Sequence, residues 1–256
     1  MLSIITINKN HASGLKKTLE SVRTQTSKDF ELIVVDGLST DESLDVIRQN
    51  EDIITYWVSE SDRGIYDAFN KAIGYSKGED IMFLNSGDVL LEPDSISKLY
   101  SKITTNDHIV IWDIYSRKGV WKMSKNVGSQ LVNKFLGHTG TAVFKRSLFE
   151  ELGMYDTSFR LLGDREFYYR VLKSKGNRAF RKITGLYSEF ENDGGPETNL
   201  FRSSRGPEEK AIIHARYEDL VRRYSYNSFE RIYYKSRKTF DRLIDKLQLP
   251  SLNPAH

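Results

Sequence analysis

The fold is decided by one stretch of the chain, Ile81-Met82-Phe83-Leu84-Asn85-Ser86-Gly87-Asp88, in which an apolar strand runs without a break into a polar turn. Such a strand is typical of the middle of a parallel sheet, where both faces are buried. Ligands of these sheets bind in the crevice beyond the carboxyl ends of the strands. An acidic turn at that place suits a hard divalent cation that holds phosphates, so the stretch predicts an α/β fold with a ligand site at Asp88.

The chain before this stretch alternates between apolar strands and segments with apolar residues at helical spacing. The predicted strands are residues 2–7, 32–35, 54–58 and 81–84. A polar turn follows each strand, and Ser39 or Thr40 in the second turn is expected to cap the next helix. Because successive parallel strands need helical crossovers of one hand, the alternation predicts a doubly wound, mostly parallel sheet with the turns on one edge.

The regular alternation ends after Asp88. The predicted elements are a helix over 93–102, strands over 109–115 and 119–123, a turn and strand over 137–144 and a helical turn over 148–152. A second acidic cluster, 163–166, opens a helix, and 188–206 is predicted to be a long loop of the kind that is usually functional. From 207 onward the pattern predicts two helices, so a boundary is expected near 206.

The composition limits the classes of protein to which the chain can belong. Its 256 residues, 39% of them hydrophobic, suffice for one large domain or one domain with an extension. The balance of 38 basic and 35 acidic side chains predicts no nucleic-acid partner. No cysteine is present, which excludes disulfides and thiolate metal sites. With no signal sequence and no apolar run of about 20 residues, a cytoplasmic enzyme is expected.

Taken together, the polar turns resemble those of the family 2 glycosyltransferases of the GT-A fold, over roughly residues 1–200. The matching motifs are Thr6-Ile7-Asn8-Lys9-Asn10, Val34 to Asp41, Glu60 to Gly64 with Asp67 and Asn70, Asn85 to Asp88, and Gly163-Asp164. The run from Ser59 to Lys71, followed by Leu-Asn-Ser-Gly-Asp, is similar to the branch that builds bacterial exopolysaccharide, capsule or O-antigen. Order and spacing, more than any single motif, carry this resemblance.

The sequence departs from the family pattern in three places. The first turn lacks Pro-x-Tyr-Asn, and Gly37 stands where a second acid would follow Asp36. Asn85 and Gly87 stand where acids are frequent in the metal turn, so Asp88 is its one charged ligand candidate. One carboxylate is sufficient for a divalent ion that also binds phosphates and waters.

The resemblance implies roles for individual residues. Asp36 would recognise uracil beside Thr6 and Asn8, and Asp88 would hold Mn²⁺ or Mg²⁺. Asp164 would be the catalytic base, with Glu166 as the alternative base. The full set of candidate donor-binding residues is Thr6, Asn8, Asp36, Asp62, Arg63, Asn85 and Ser86. His138 is expected near the donor or acceptor.

Each candidate also has a purely structural interpretation. Asp36 and Asp164 could cap the helices that follow them, and Asp88 could simply form a turn. The charged run 60–63 could be a solvated loop, although Gly64 would let the backbone approach a ligand. His138 could be an ordinary core or surface histidine.

The resemblance therefore implies an inverting glycosyltransferase that moves a sugar from a nucleotide-diphosphate donor, expected to be a UDP-sugar, to a hydroxyl of a bacterial surface glycan intermediate. Residues 1–206 would form the GT-A domain, with a nucleotide-sugar half at about 1–105 and an acceptor half at about 106–206. Residues 207–256 would form a C-terminal helical extension. There are two rival functions. One is a sugar-nucleotide pyrophosphorylase, but enzymes of that class carry a Gly-rich basic loop after the first strand, and this sequence has none. The other is a non-catalytic nucleotide-sugar-binding scaffold.

The segment 207–250 contains 10 Lys or Arg against 7 Asp or Glu, with aromatic residues between them. Basic amphipathic helices bind anionic lipid surfaces, so the segment predicts contact with the inner face of the plasma membrane, beside a polyprenyl-diphosphate-linked acceptor. Packing on the domain or within a homo-oligomer is the alternative.

Overall fold

The computed structural model describes residues 1–116, 119–124, 126–133, 139–185, 187–191 and 205–225. The chain begins with regular alternation of strands and helices. The elements of this first part are β1 (Leu2–Asn8), α1 (Ala12–Arg23), β2 (Phe30–Asp36), α2 (Ser43–Arg48), β3 (Tyr56–Ser59), α3 (Ile65–Tyr75) and β4 (Asp80–Phe83). Strands β4, β1, β2 and β3 lie side by side in that order, and all are parallel.

This arrangement confirms the predicted α/β sheet and brings the polar turns to one edge. Neighbouring turns are joined by backbone hydrogen bonds, from Gly37 N to Asn8 O at 2.8 Å and from Glu60 N to Asp36 O at 3.0 Å. Ser86 N donates in the same way to Ile7 O at 3.2 Å. The expected cap of α2 was wrong, because α2 begins at Ser43 without a side-chain cap and Ser39 is hydrogen-bonded to Asp36 instead.

The second part of the chain extends the sheet and adds a smaller one. Its elements are β5 (Val89–Leu90), α4 (Ser95–Tyr100), β6 (Ile109–Ile111), β7 (Ile114–Ser116), β8 (Gly119–Trp121), α5 (Val127–Asn133), β9 (Ala142–Lys145), α6 (Arg146–Leu152), α7 (Gly163–Lys175), β10 (Phe180–Lys182) and β11 (Ser188–Glu189). Within the described residues, the large sheet has the order β10-β6-β9-β4-β1-β2-β3, and β9 is antiparallel to both of its neighbours. The small sheet has the order β5-β11-β7-β8.

Two sequence-based boundaries were wrong in this part. The single strand predicted over 109–115 is two strands, β6 in the large sheet and β7 in the small one, because the chain changes sheet at the buried Trp112. The loop predicted over 188–206 begins with β11. Hydrophobic periodicity does not reveal such a change of sheet, since both strands are apolar.

Helices cover both faces of the large sheet. One apolar cluster lies between the sheet and α1, α2 and α4, with Leu15, Leu19 and Ile47 among its members. The other cluster includes Phe69 of α3, Phe144 of β9 and Phe167 of α7. The turn edge of the sheet therefore lies between two packed layers, and these layers hold it in place.

Two further helices follow, α8 (Arg205–Arg216) and α9 (Glu218–Tyr224). Their buried residues Ile213, Leu220 and Val221, and Tyr217 between the two helices, belong to the same apolar cluster as α7. Among the described residues, no helix is long and apolar enough to cross a membrane.

Candidate active site

Asp36 connects the ends of three parallel strands. Its buried carboxylate accepts hydrogen bonds from Asn8 Nδ2 at 2.8 Å, Ser39 Oγ at 2.5 Å, Ser39 N at 2.9 Å and Ser59 Oγ at 2.7 Å. Asp36 thus does not cap α2, because every bond described for it holds β1, β2, β3 and the adjoining turn together. Asn8 Oδ1 is buried and has no hydrogen-bond partner in the described part of the chain, which makes it an unsatisfied acceptor in this pocket.

The loop after β3 reaches over the turn after β2. Asp62 Oδ1 accepts a hydrogen bond from Gly64 N at 2.8 Å, and a Cβ added at Gly37 would clash with Asp62 Oδ2. Arg63 donates to Asp67 from its backbone nitrogen and from Nη2, both at 3.0 Å, and its side chain is 78% exposed. Gly64 has φ +123°, and an added Cβ would lie 2.6 Å from Arg160 Nη1. This position therefore requires glycine.

Asp88 closes the turn that follows β4. Its backbone nitrogen donates to Asn85 O at 2.9 Å, and its carboxylate accepts from Asn85 N at 3.3 Å and from Glu191 N at 3.1 Å. Burial raises the pKa of Asp88 to about 7, and the nearby charge of Glu191 acts in the same direction. A nearby cation would favour the ionised form of this carboxyl group and would therefore lower its pKa.

Thr18 of α1 is a residue in contact with this turn that sequence analysis missed. Its hydroxyl lies 2.7 Å from Asp88 O and 3.1 Å from Asn85 O, and it accepts a hydrogen bond from Gly87 N at 2.9 Å. A polar residue among Leu15, Leu19 and Val22 on the buried face of α1 was the available signal. Thr18 therefore anchors the acidic turn to the first helix.

The turn has oxygen ligands suited to a divalent cation that also binds substrate phosphates. Asp88 offers a carboxylate, and Asn85 Oδ1 is a buried amide oxygen without a hydrogen-bond partner among the described residues. Within that same part of the chain, no group of three or more His, Cys, Asp or Glu side chains could hold a metal ion. Mg²⁺ and similar ions usually take one or two carboxylates together with phosphates and waters, so the residues present fit such a cation.

Asp164 lies in the first turn of α7, where it contacts α3. Tyr66 Oη of α3 donates to Asp164 Oδ1 at 3.2 Å and to Leu161 O at 2.9 Å, and Arg165 N donates to Asp164 Oδ1 at 2.7 Å. Burial raises the pKa of Asp164 to about 6, although these hydrogen bonds act against that rise. The N-cap interpretation was wrong, since Leu162 occupies the N-cap position.

Glu166, the alternative candidate for the base, links α7 to the end of α8. It is buried and accepts from Tyr217 Oη at 2.6 Å, Arg170 Nε at 2.9 Å and Arg216 Nη1 at 3.3 Å. These bonds join α7 to α8 and its following turn. Because its carboxylate holds three donors from two parts of the chain, Glu166 has a structural role in the fold, and its assignment as the alternative base stays a prediction.

Three other candidates have different surroundings. Thr6 is fully buried and donates to Leu84 O at 2.8 Å, so it ties β1 to the end of β4. Ser86 Oγ donates to Ile7 O at 3.2 Å. His138 lies outside the described residues.

A protein-family profile and a sequence relative both match this chain over more than half of its length, and both are glycosyltransferases. The sequence profile of Glycosyl transferase family 2 matches residues 3–162. A PGL/p-HBAD biosynthesis glycosyltransferase of Mycobacterium bovis is 30% identical over 201 residues, which cover 74% of this chain and 77% of that protein.

Solved structures match over most of the chain at low sequence identity. S. aureus TarS 1–349 in complex with UDP-GlcNAc has a TM-score of 0.68 at 14% identity, covering 96% of this chain and 80% of TarS. Glucosyl-3-phosphoglycerate synthase from Mycobacterium tuberculosis, in complex with Mn²⁺, UDP and glucosyl-3-phosphoglycerate, has a TM-score of 0.61 at 16% identity, covering 85% and 80%. These likenesses show that the chain has the GT-A fold.

Proposed function

The chain belongs to glycosyl transferase family 2, and from this membership we propose that it is an inverting transferase that moves a hexosyl group from a UDP-sugar to a hydroxyl of a bacterial surface glycan intermediate. The acceptor in this proposal is carried on a lipid such as a polyprenyl diphosphate. The protein works in the cytoplasm, on the inner face of the plasma membrane.

The environment of Asp164 is the observation that carries the catalytic part of the proposal. A general base is most effective when its pKa lies near the working pH, and the pKa of Asp164 is raised to about 6. The hydrogen bond from Tyr66 holds the carboxylate against α3, which begins beside the loop 60–64. Asp164 takes the proton of the acceptor hydroxyl while that oxygen attacks the anomeric carbon from the side opposite the diphosphate. A single displacement of this kind inverts the configuration.

Donor binding is assigned to the turns after β1, β2, β3 and β4. Asp36 and Asn8 would contact the uracil, which has both donor and acceptor groups that match a carboxylate and an amide. Asp62, Arg63 and Ser86 would lie around the ribose and diphosphate. When bound at Asp88, Mn²⁺ or Mg²⁺ supplies positive charge that stabilises the departing diphosphate.

A non-catalytic scaffold is the second candidate function, favoured by the single carboxylate in the metal turn. A binding protein has no need for a desolvated carboxylate at the acceptor side, where burial raises the pKa of Asp164. Burying a charged group without a catalytic use only lowers stability. We therefore favour the enzyme.

Calorimetry with UDP, with and without Mn²⁺, tests the donor site. We expect UDP to bind and Mn²⁺ to strengthen its binding, because the diphosphate is a concentrated negative charge next to acidic residues. Equal affinity in Mn²⁺ and in EDTA would disprove the metal-dependent form of the proposal. A screen of nucleotide sugars for slow donor hydrolysis would then identify the sugar, and turnover of none of them would favour the scaffold.

A further inference from the structure

A carboxylate from a distant part of the chain lies on the acidic turn. In the small sheet, β11 is antiparallel to β5, with Ser188 opposite Leu90 and Glu189 opposite Val89. The same register, continued by two residues, puts Glu191 opposite Gly87. The hydrogen bond from Glu191 N to Asp88 Oδ1 at 3.1 Å confirms that the two segments remain adjacent beyond the ladder.

The side chain of Glu191 occupies the space that a side chain at position 87 would need. An added Cβ at Gly87 would overlap Glu191 Oε2 and lie 2.6 Å from Glu191 Cδ. Gly87 also has φ +101°, a conformation that disfavours other residues. The carboxylate of Glu191 therefore lies directly over the turn that carries Asp88.

Glu191 is held there by two side chains, Lys17 of α1 and His11 at the N-cap of that helix. Lys17 Nζ lies 3.0 Å from Glu191 Oε1, and His11 Nε2 lies 3.3 Å from Glu191 Oε2. The Glu191 side chain is only 14% exposed, although Lys17 is 50% exposed. A cation that reached the turn would compete with these partners for the same carboxylate.

We propose that Glu191 is the second carboxylate ligand of the divalent cation at the Asp88 turn, provided by the segment that follows β11 because position 87 is glycine. This inference rests on the proposed function, since it concerns the cation that holds the donor diphosphate. Two carboxylates balance the charge of the ion. Lys17, released from Glu191, is then available to the phosphates.

A purely structural role for Glu191 makes the opposite prediction. If Glu191 only fastens β11 to α1 through Lys17 and His11, its removal leaves cation affinity unchanged or raises it by exposing Asp88. Mn²⁺ binding separates the two roles directly, because the amplitude of the free Mn²⁺ signal in electron paramagnetic resonance reports binding without any turnover.

Mn²⁺ is titrated into the full-length protein, alone and with UDP, and its affinity is compared with that of three variants. Glu191→Gln should weaken Mn²⁺ binding by at least about tenfold, since even indirect partners of metal ligands are worth that much. Glu189→Gln is the matched control, because it removes a carboxylate that lines the same cleft two residues away, and it should leave affinity unchanged. Lys17→Met should strengthen Mn²⁺ binding, since it removes a competing cation.

Wild-type Mn²⁺ affinity in Glu191→Gln, with an unchanged melting temperature, would overturn the proposal. So would failure of the wild-type protein to bind Mn²⁺ at all. In either case, UDP binding measured by calorimetry would still report on the proposed function, so the two failures are distinguishable.

Discussion

At the scale of single residues, the reactivity of Asp164 is set by its neighbours. Replacing Asp164 with Asn should reduce transfer by roughly 10²- to 10⁴-fold, the usual contribution of a general base, because the amide cannot accept the proton. UDP affinity should stay at the wild-type value, since the contacts of Asp164 lie on α3 and α7. Initial rates and calorimetry on the same preparation would check this, and near-wild-type transfer would exclude the assignment.

The same carboxyl group predicts how activity and stability depend on pH. A base must be ionised, so kcat/KM at saturating Mn²⁺ should fall about tenfold per pH unit below the pKa of Asp164, which is about 6. Because this pKa is raised on folding, the contribution of Asp164 to stability is complete below its unfolded value and is lost as the pH rises through about 6. A kcat/KM profile that stays flat from about pH 5 to about pH 8 would contradict the prediction.

At the scale of elements, α7 is positioned by a carboxylate of α8. Buried Glu209 accepts hydrogen bonds from Arg160 N at 2.8 Å and from Leu161 N and Leu162 N, both at 2.9 Å. A negative charge at a helix N-terminus is also favoured by the helix dipole. Glu209 therefore fixes the segment that leads into α7 and Asp164.

Glu209→Ala should lower the free energy of unfolding by roughly 2–4 kcal/mol, because three backbone N–H groups lose their acceptor. The milder Glu209→Gln keeps one acceptor oxygen, so it should fold and show reduced kcat with unchanged UDP affinity. Glu208→Ala is the matched control, since Glu208 is the exposed neighbour on the same helix. Denaturant unfolding and steady-state kinetics would check both effects, and equal stability of the two alanine variants would refute the role of Glu209.

At the scale of the whole molecule, the segment 207–250 divides into two parts. Residues 207–225 carry four basic and four acidic side chains, and the apolar side of their helices is packed into the core. Residues 226–250, which lie outside the described residues, carry six basic and three acidic side chains. The excess positive charge on which the expected membrane contact depends is therefore located after residue 225.

We expect the full chain to sediment with anionic liposomes at low salt and a chain ending at residue 225 to stay in solution, because each Lys or Arg near an anionic surface contributes about 1 kcal/mol. Neutral liposomes provide the control. If the full chain forms a stable oligomer and does not pellet with anionic or neutral liposomes, packing between copies of the chain would be favoured.

The positions of three carboxylates in the candidate site could be predicted from the sequence because they lie at local transitions. Asp36 and Asp88 each follow an apolar strand, and Asp164 opens a helix with a buried apolar face. Hydrophobic periodicity and turn-forming residues are features of neighbouring residues, so they can be read from the sequence without knowledge of the fold. The parallel strands then brought Asn8, Asp36 and Ser59 to one edge, as the alternation required.

Tertiary structure alone decided which side chains complete those turns. Glu191 is 103 residues from Asp88 along the chain, and Glu209 is 47 from Leu162. The register of β11 on β5 and the packing of α8 on α7 determine these pairs. Neither is encoded in local propensity, because a strand or helix can satisfy its own pattern with many partners. The same reason explains why Glu166 resembled a free acid in the sequence and is a buried link between helices in the fold.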